Sequence, residues 1–340
     1  MRTLAIDDPA WREFAESRSD ATIFHHPAWA GLLAECYGYR ALVITDERGG
    51  AITSGLPALV VRLPFGARRW VSLPFTDHCP PLDGDGSVLW SGLEDLARAR
   101  SFDVFELRAP NTNHSEAREF SDTRTPPFVR HDLATAEDSR VLWKRLRRNH
   151  RRSVEDAVEA GVRVETGTDA ADMDSFYRIH LQTRRRLGVP VQPRRFFRLF
   201  HERIVRTGLG FVLTAKLGDA PVAAAVVCAW NGTLVVKYSG RADGFEKVDA
   251  IHLLFWTAIR WASENGCHTF DLGRTDVAQA RLRSFKAGWG TREEPLSYSY
   301  IGATPRASSH RVERAMANVI QRSSPWVCRA LGEALYKYAA

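Results

Sequence analysis

Short apolar runs alternate with longer amphipathic stretches through the second half of the chain. Val162–Glu165, Gly210–Lys216, Pro221–Trp230, Thr233–Gly240, Thr269–Leu272 and Leu296–Ile301 have the short apolar character of strands. Asp172–Arg186, Pro193–Thr207, Asp249–Asn265 and Ala278–Lys286 repeat their apolar positions at helical spacing. The predicted order is β-α-α-β-β-β-α-β-α-β. In the first half the same reading predicts a helix from Pro27 to Cys36 and strands near Arg40–Thr45, Ala51–Val61, Arg69–Leu73 and Asp103–Arg108. Asn111 to Pro127, rich in Asn, Ser and Thr with a Pro-Pro step, predicts the longest loop there. A single helix from Arg140 to Ala160, stopped by Gly161, is expected to join the halves. His310 to Tyr338 places Val312, Ala315, Val319, Trp326, Ala330 and Leu335 so that a helical pair would lie back on the body. The expected class is mixed α/β, in two domains of residues 1–147 and 148–303 with a helical tail at 304–340.

The 340 residues, 44% of them hydrophobic, suffice for two cores. No apolar run approaches the roughly 20 residues of a membrane-spanning helix, so stable membrane insertion is not expected. Asp7, Asp8 and Glu13 stand where a secretory signal would be basic and then apolar, and a cytoplasmic location is the expectation. The five cysteines are scattered and odd in number, with no C-x-x-C, which argues against a disulfide framework and a zinc site. The net charge of +7 is concentrated: Arg140 to Arg206 holds 17 Lys/Arg against eight Asp/Glu, so the rest of the chain is net negative. That asymmetry suggests a polyanionic partner. On one continuous helix Lys144, Arg148 and Arg151 share a face, with Arg145 and Arg152 adjacent, forming a ridge at the scale of nucleic-acid phosphates. A solvated basic face is the alternative.

The candidate chemistry lies in Thr269–Trp289. A short strand there leads through Gly273 to a helix ending in Phe285-Lys286. A lysine after a core-facing Phe285 can turn a flexible stem toward a cleft and present a cation where negative charge develops in acyl transfer. The alternative is a surface lysine at a helix end. The element order of the second half is that of the GNAT acyltransferase fold. A typical GNAT enzyme grips the donor's diphosphate with a Gln/Arg-x-x-Gly-x-Gly/Ala loop before a helix. Here Arg241–Ala250 has one glycine and three carboxylates, a poor diphosphate cradle.

Several segments resemble the Fem-type aminoacyltransferases (FemABX family) and their CelD-like relatives, which are built from two GNAT-like domains. They are Ala21–Trp29, Gly55-Leu56-Pro57, Ser72-Leu73-Pro74-Phe75, the basic stretch Lys144–Ala160, Phe176-Tyr177 with His180 and Thr183, Tyr238, Phe270-Asp271-Leu272-Gly273 and Phe285-Lys286. The resemblance implies transfer of an aminoacyl group from aminoacyl-tRNA to an amine on a peptide or small molecule, either a peptidoglycan precursor or a natural-product intermediate. It implies no cofactor and no metal. It puts Lys286 and Tyr238 at the reaction centre, with His252 and Asp271 as further candidates. A lone histidine at the position of His252 also suits packing, and Asp271 also suits anchoring its turn. Lys144, Arg145, Arg148, Arg151 and Arg152 become the expected tRNA contacts. Phe285, Gln192, Phe196, Asp271 and Arg194 become the expected substrate contacts. Family members acting on UDP-linked muropeptides carry an Arg-Pro step and a nearby Tyr, where this chain has Gln192-Pro193 and Phe196. Losing that bidentate phosphate donor points away from the usual muropeptide unless Arg194 or Arg195 substitutes. An acyl-CoA or acyl-carrier N-acyltransferase of the CelD-like type is the second expectation, and an RNA-binding scaffold the third. Two such halves supply both walls of a cleft, so a monomer is expected.

Overall fold

In a computed structural model the chain is described over residues 1–62, 68–82, 87–99, 101–109, 128–302 and 310–338; the expected loop Asn111–Pro127 lies outside these. The first half forms β1 (Arg2–Ala5), α1 (Pro9–Ser17), α2 (Pro27–Tyr37), β2 (Arg40–Arg48), β3 (Ala51–Arg62), β4 (Arg68–Val71), α3 (Ser87–Arg98) and β5 (Val104–Leu107). Local chemistry sets both ends of α2. Pro27 fits the first turn, His26 Nδ1 accepts the N–H of Ala28, and Gly38 takes the left-handed φ of 74° that ends the helix.

The chain continues through β6 (Phe128–Ala134), α4 (Ser139–Arg145), α5 (Arg148–Glu159), β7 (Val162–Gly167), α6 (Ala170–Leu187) and α7 (Arg194–Phe200). It then forms β8 (Gly210–Leu217), β9 (Ala220–Trp230), β10 (Thr233–Arg241), α8 (Ala250–Glu264), β11 (Thr269–Asp276), α9 (Ala280–Ala287), β12 (Arg292–Leu296), β13 (Ser299–Gly302), α10 (His310–Arg322) and α11 (Pro325–Leu335). Two sheets result, ordered β1-β2-β3-β4-β5-β13 and β12-β6-β11-β10-β9-β8-β7. The mixed α/β class in two tandem units with C-terminal helices is thus present.

The sheets cut across the boundary expected at 147. β6 enters the second sheet between β11 and β12, and β13 pairs with β5 in the first. Along β6, Val129, His131 and Leu133 are buried while Arg130 and Asp132 turn to the opposite face, so its alternation fits an interior sheet position. The strand expected at Leu296–Ile301 is divided for the same reason, since its two ends belong to different sheets.

The helix expected over Arg140–Ala160 is also broken. Leu146 and Arg147 are extended, with ψ of 143° and 145°. Tertiary contacts outweigh local helix preference here. Leu146 is buried, the Arg147 N–H donates to the Gly288 carbonyl, and the Arg151 guanidinium takes the carbonyls of Lys144 and Leu146 at 3.0 and 2.8 Å. Lys144 and Arg148 therefore do not share one continuous helical face.

Helices α6 and α7 lie between the sheets, and one core spans both halves. Trp29 of α2 meets Phe196 and Phe200 of α7 edge to face, with centroids 6.4 and 6.3 Å apart. The tail closes over this seam. Gly332 of α11 packs so tightly on Val191 that an added Cβ would sit 1.9 Å from its carbonyl oxygen, while Tyr336 stacks on Tyr37.

Gly288, just after α9, leaves the space that the His150 ring fills. A Cβ there would lie 2.1 Å from that ring. Gly288→Ala should cost about 1–3 kcal/mol of stability by overpacking. A lowered urea midpoint with unchanged slope is the expected measurement.

Candidate active site

Strands β10 and β11 run parallel, but their pairing covers only Thr233–Val235 against Thr269–Asp271. Just beyond, each strand is irregular. β10 shifts register between Val236 and Tyr238, and β11 does so between Asp271 and Arg274, where Gly273 has a φ of 68°. Such bulges re-aim side chains and end pairing. Lys237 sits in the first bulge, and Lys286 of α9 reaches the second. Its Nζ donates to the carbonyls of Gly273 and Arg274, both at 3.0 Å. The side chain is only 8% exposed. Desolvation pulls its pKa down to about 8, against the opposing pull of Asp77 and Asp271.

The partly buried Asp77 carboxylate, from the first half, bridges the two bulges. Its oxygens lie 3.6 Å from Lys237 Nζ and 3.6 Å from Arg274 Nε, and a Cβ on Gly273 would be 2.7 Å from Oδ2. Desolvation alone would raise its pKa, but Lys237, Arg274, Lys286 and Arg108 outweigh it and hold the carboxyl below its ordinary value. Tyr298 donates its hydroxyl to the Asp77 carbonyl at 2.9 Å and receives Arg274 at 2.7 Å. Lys237 Nζ is caged by the rings of Phe24, Trp29 and Tyr238, with centroids at 5.3 to 5.4 Å. The approach to Asp77 is strained, because Leu73 and Phe75 both have positive φ, 66° and 59°.

The other expected site residues divide. Asp271 lies on the bulge that Lys286 reaches; its Oδ1 accepts the Gly273 N–H at 2.5 Å, and desolvation raises its pKa. Tyr238 turns its ring toward His180, Phe196 and Phe197. Its hydroxyl meets Gln192, whose Oε1 lies 2.9 Å from His180 Nε2, and desolvation raises the phenol's pKa. Gln192 and Phe196 are 1% and 0% exposed, so they form the wall behind Tyr238 and offer no open surface. His252 and Phe285 pack with His150 and Trp289 on the side of α9 facing α5 and α8. Desolvation lowers the pKa of His252. Arg194 lies outside, paired with Asp174 at 3.1 Å and set over Tyr177 in a cavity of about 460 Å³.

Sequence reasoning passed over Asp77 and Lys237. A lysine inside the apolar strand L-V-V-K-Y was a visible anomaly, whereas Asp77 becomes notable only when the halves meet.

In the basic stretch, Lys144, Arg145, Arg148 and Arg152 are exposed while Arg151 is half-buried in the break. Arg145 pairs with Glu137 at 2.8 Å and Arg152 with Asp156 at 3.7 Å; among the described residues Lys144 and Arg148 have no ion pair. The stretch grips the end of α9. Arg147 donates to the Ser284 carbonyl and hydroxyl at 3.2 Å, and His150 Nε2 meets the Phe285 carbonyl at 2.9 Å. Ahead of α8, Glu246 folds onto its own loop. Its carboxylate lies 3.4 Å from Arg241, and the backbone of its own loop together with that guanidinium holds its pKa below the ordinary value. Asp243 pairs with Arg185 and Arg186.

Residues 144–284 match the family model of an acetyltransferase (GNAT) domain. The chain carries a GNAT acyltransferase domain. No curated protein matches its sequence. In structure it is similar to FemX, with a TM-score of 0.69 at 13% identity over 95% of this chain and 100% of that one. It is also similar to the C-terminal domain of a putative lysylphosphatidylglycerol synthetase from Agrobacterium fabrum, with a TM-score of 0.58 at 13% identity over 93% and 98% of the two chains. A tandem GNAT protein from the clavulanic acid biosynthesis pathway matches with a TM-score of 0.53 at 14% identity over 90% and 98%. At these identities the likeness establishes the tandem GNAT fold. The matched domain makes acyl transfer the reaction class. No described helix is long and apolar enough to cross a membrane, and no three described His, Cys, Asp or Glu could together hold a metal ion.

Between about pH 8 and the ordinary lysine range, the unfolded chain keeps a proton that folded Lys286 has shed. This lysine therefore makes stability rise with pH through that window. NMR of isotope-labelled lysine should find one midpoint near 8. Asp77→Asn should lower that midpoint further, because the lost charge favoured the ammonium.

Proposed function

We propose that this protein transfers an aminoacyl group from aminoacyl-tRNA to an amine of a peptide or small molecule, forming an amide. The observation that carries the reading is Glu246: in the loop that precedes α8, where a donor diphosphate would seat, the chain's own carboxylate lies 3.4 Å from Arg241, the cation that a diphosphate would need. Asp77 reinforces it by bridging β10 and β11 where their pairing ends. An ester donor needs no diphosphate seat. It needs a cation for the developing oxyanion and a path for its RNA.

Lys286 supplies the first. An ammonium has three N–H donors, two of which are committed to the Gly273 and Arg274 carbonyls. The third is free for the carbonyl oxygen as it gains charge, in a setting already withdrawn from water. Tyr238 stays neutral, its ring 5.4 Å from Lys237 Nζ and its hydroxyl on Gln192. The second is supplied by Lys144, Arg145, Arg148 and Arg152, where phosphates give affinity without sequence choice. Arg147 and His150 tie that surface to the helix carrying Lys286. The altered Gln192 and Phe196, both buried, support an acceptor other than a UDP-linked muropeptide. Transfer from an acyl-CoA or acyl-carrier thioester is the second reading, favoured by the acetyltransferase domain match.

Charged tRNA with a panel of amines tests the first reading. Lys286→Met should lower turnover by roughly 10²–10³-fold while tRNA binding holds. Lys144→Glu with Arg148→Glu should weaken tRNA binding and cut its salt slope by about 2. Thermal stabilisation by CoA thioesters, with none by charged tRNA, would replace this reading with the second.

A further inference from the structure

The transfer leaves one proton without a destination. The attacking nitrogen must shed it, and Lys286 works only as an ammonium. Asp77 is held ionised by Lys237 and Arg274, which makes it a weak base. His150 and His252 lie on the other side of α9, against Phe285 and Trp289. Tyr238 stays neutral.

Across β6 and β11 the register sets Asp132 directly opposite Asp271. Opposed residues of an antiparallel pair share one face, and two like charges there repel. Phe270, Leu272 and Leu133 are buried in the α8-side core, so both carboxyls take the opposite face of the sheet, where Asp77 lies. Asp271 Oδ1 is occupied by the Gly273 N–H, which leaves Oδ2. The Lys286 ammonium rests on the carbonyls of Gly273 and Arg274, two and three residues further on. One four-residue bulge therefore holds both a cation for the carbonyl oxygen and a carboxyl for the nitrogen.

Given the acyl transfer proposed above, the geometry points to the Asp132–Asp271 pair as the proton acceptor for the attacking amine, with Asp271 Oδ2 taking the proton. The nitrogen attacks the ester carbonyl and a C–N bond forms. The nitrogen gives one proton to the pair, the bond from carbon to the ribose oxygen breaks, and the pair returns that proton to the departing oxygen. The pair ends as it began, and no other reactant is consumed. The charged and titratable groups around it are Arg130 of β6, 2.6 Å from Asp132, Arg292 and Glu294 of β12, Asp77 and the neutral His78, and Lys286 of α9. Desolvation and then the facing Asp271 push the Asp132 carboxyl up to about 7, which suits an acceptor that must both take and release a proton near neutrality.

Two measurements decide it. In the protein alone, carboxyl-labelled aspartate NMR should show a midpoint near 7, and Asp271→Asn should return Asp132 toward the ordinary carboxylate range. In turnover, with whichever acyl donor the wild-type protein uses, Asp271→Asn should lower kcat by roughly 10²–10⁴-fold with little change in KM. Asp132→Asn should move the acidic limb of kcat/KM to lower pH, since removing the facing charge makes Asp271 more acidic. The inference is overturned if both carboxyls titrate in the ordinary range, or if folded Asp271→Asn keeps kcat within about threefold. Turnover with a thioester and none with charged tRNA would sink the donor reading while leaving this one standing or falling on the same variants.

Discussion

A carboxylate partly withdrawn from water persists only if cations or donors surround it, and Asp77 meets that demand with residues from the other half of the chain. Lys237 approaches from β10, Arg274 from β11, and the Gly273 backbone leaves no room for a Cβ between them. Neither half satisfies this charge alone. The pairing fixes how the halves sit together, ends the contact between β10 and β11, and determines which groups Lys286 faces. The positive φ values at Leu73 and Phe75 are the local cost of delivering Asp77 there.

Lys286 is shaped by the same arrangement. A helix-end lysine on a surface would be a solvated cation of ordinary acidity. Here α9 is held by Arg147 and His150 at one end and by the β11 carbonyls through Nζ, so the ammonium loses water yet keeps two partners. Its lowered pKa records that exchange. The break between α4 and α5 belongs to this support as much as to any RNA surface. Arg151, expected among the exposed contacts, works inside it.

Much of the fold was legible because it rests on local pattern. The strands from β7 to β10, the helices α6 and α8 and the C-terminal pair follow from apolar spacing, caps and glycine stops that act within a few residues. The candidate site was legible only in part. Phe285-Lys286 and Asp271 stood out as an unusual polar run at a strand exit. Gln192 and Phe196, expected to meet substrate, are buried behind Tyr238, because their side chains complete an aromatic wall that exists only after α2 packs on α7. His252 and Phe285 lie on the opposite side of α9 from the Lys286 ammonium, as helical geometry directs neighbouring side chains apart.

By itself the sequence determined the identity of most elements, the concentration of positive charge in one segment and the acidity of the loop before α8, since these depend on composition and short-range spacing. Tertiary structure alone decided that β6 and β13 cross between sheets, that Asp132 faces Asp271, and that Asp77 reaches Lys237. Those pairings join residues far apart in the chain through strand register and shared desolvation. No local pattern encodes either of these.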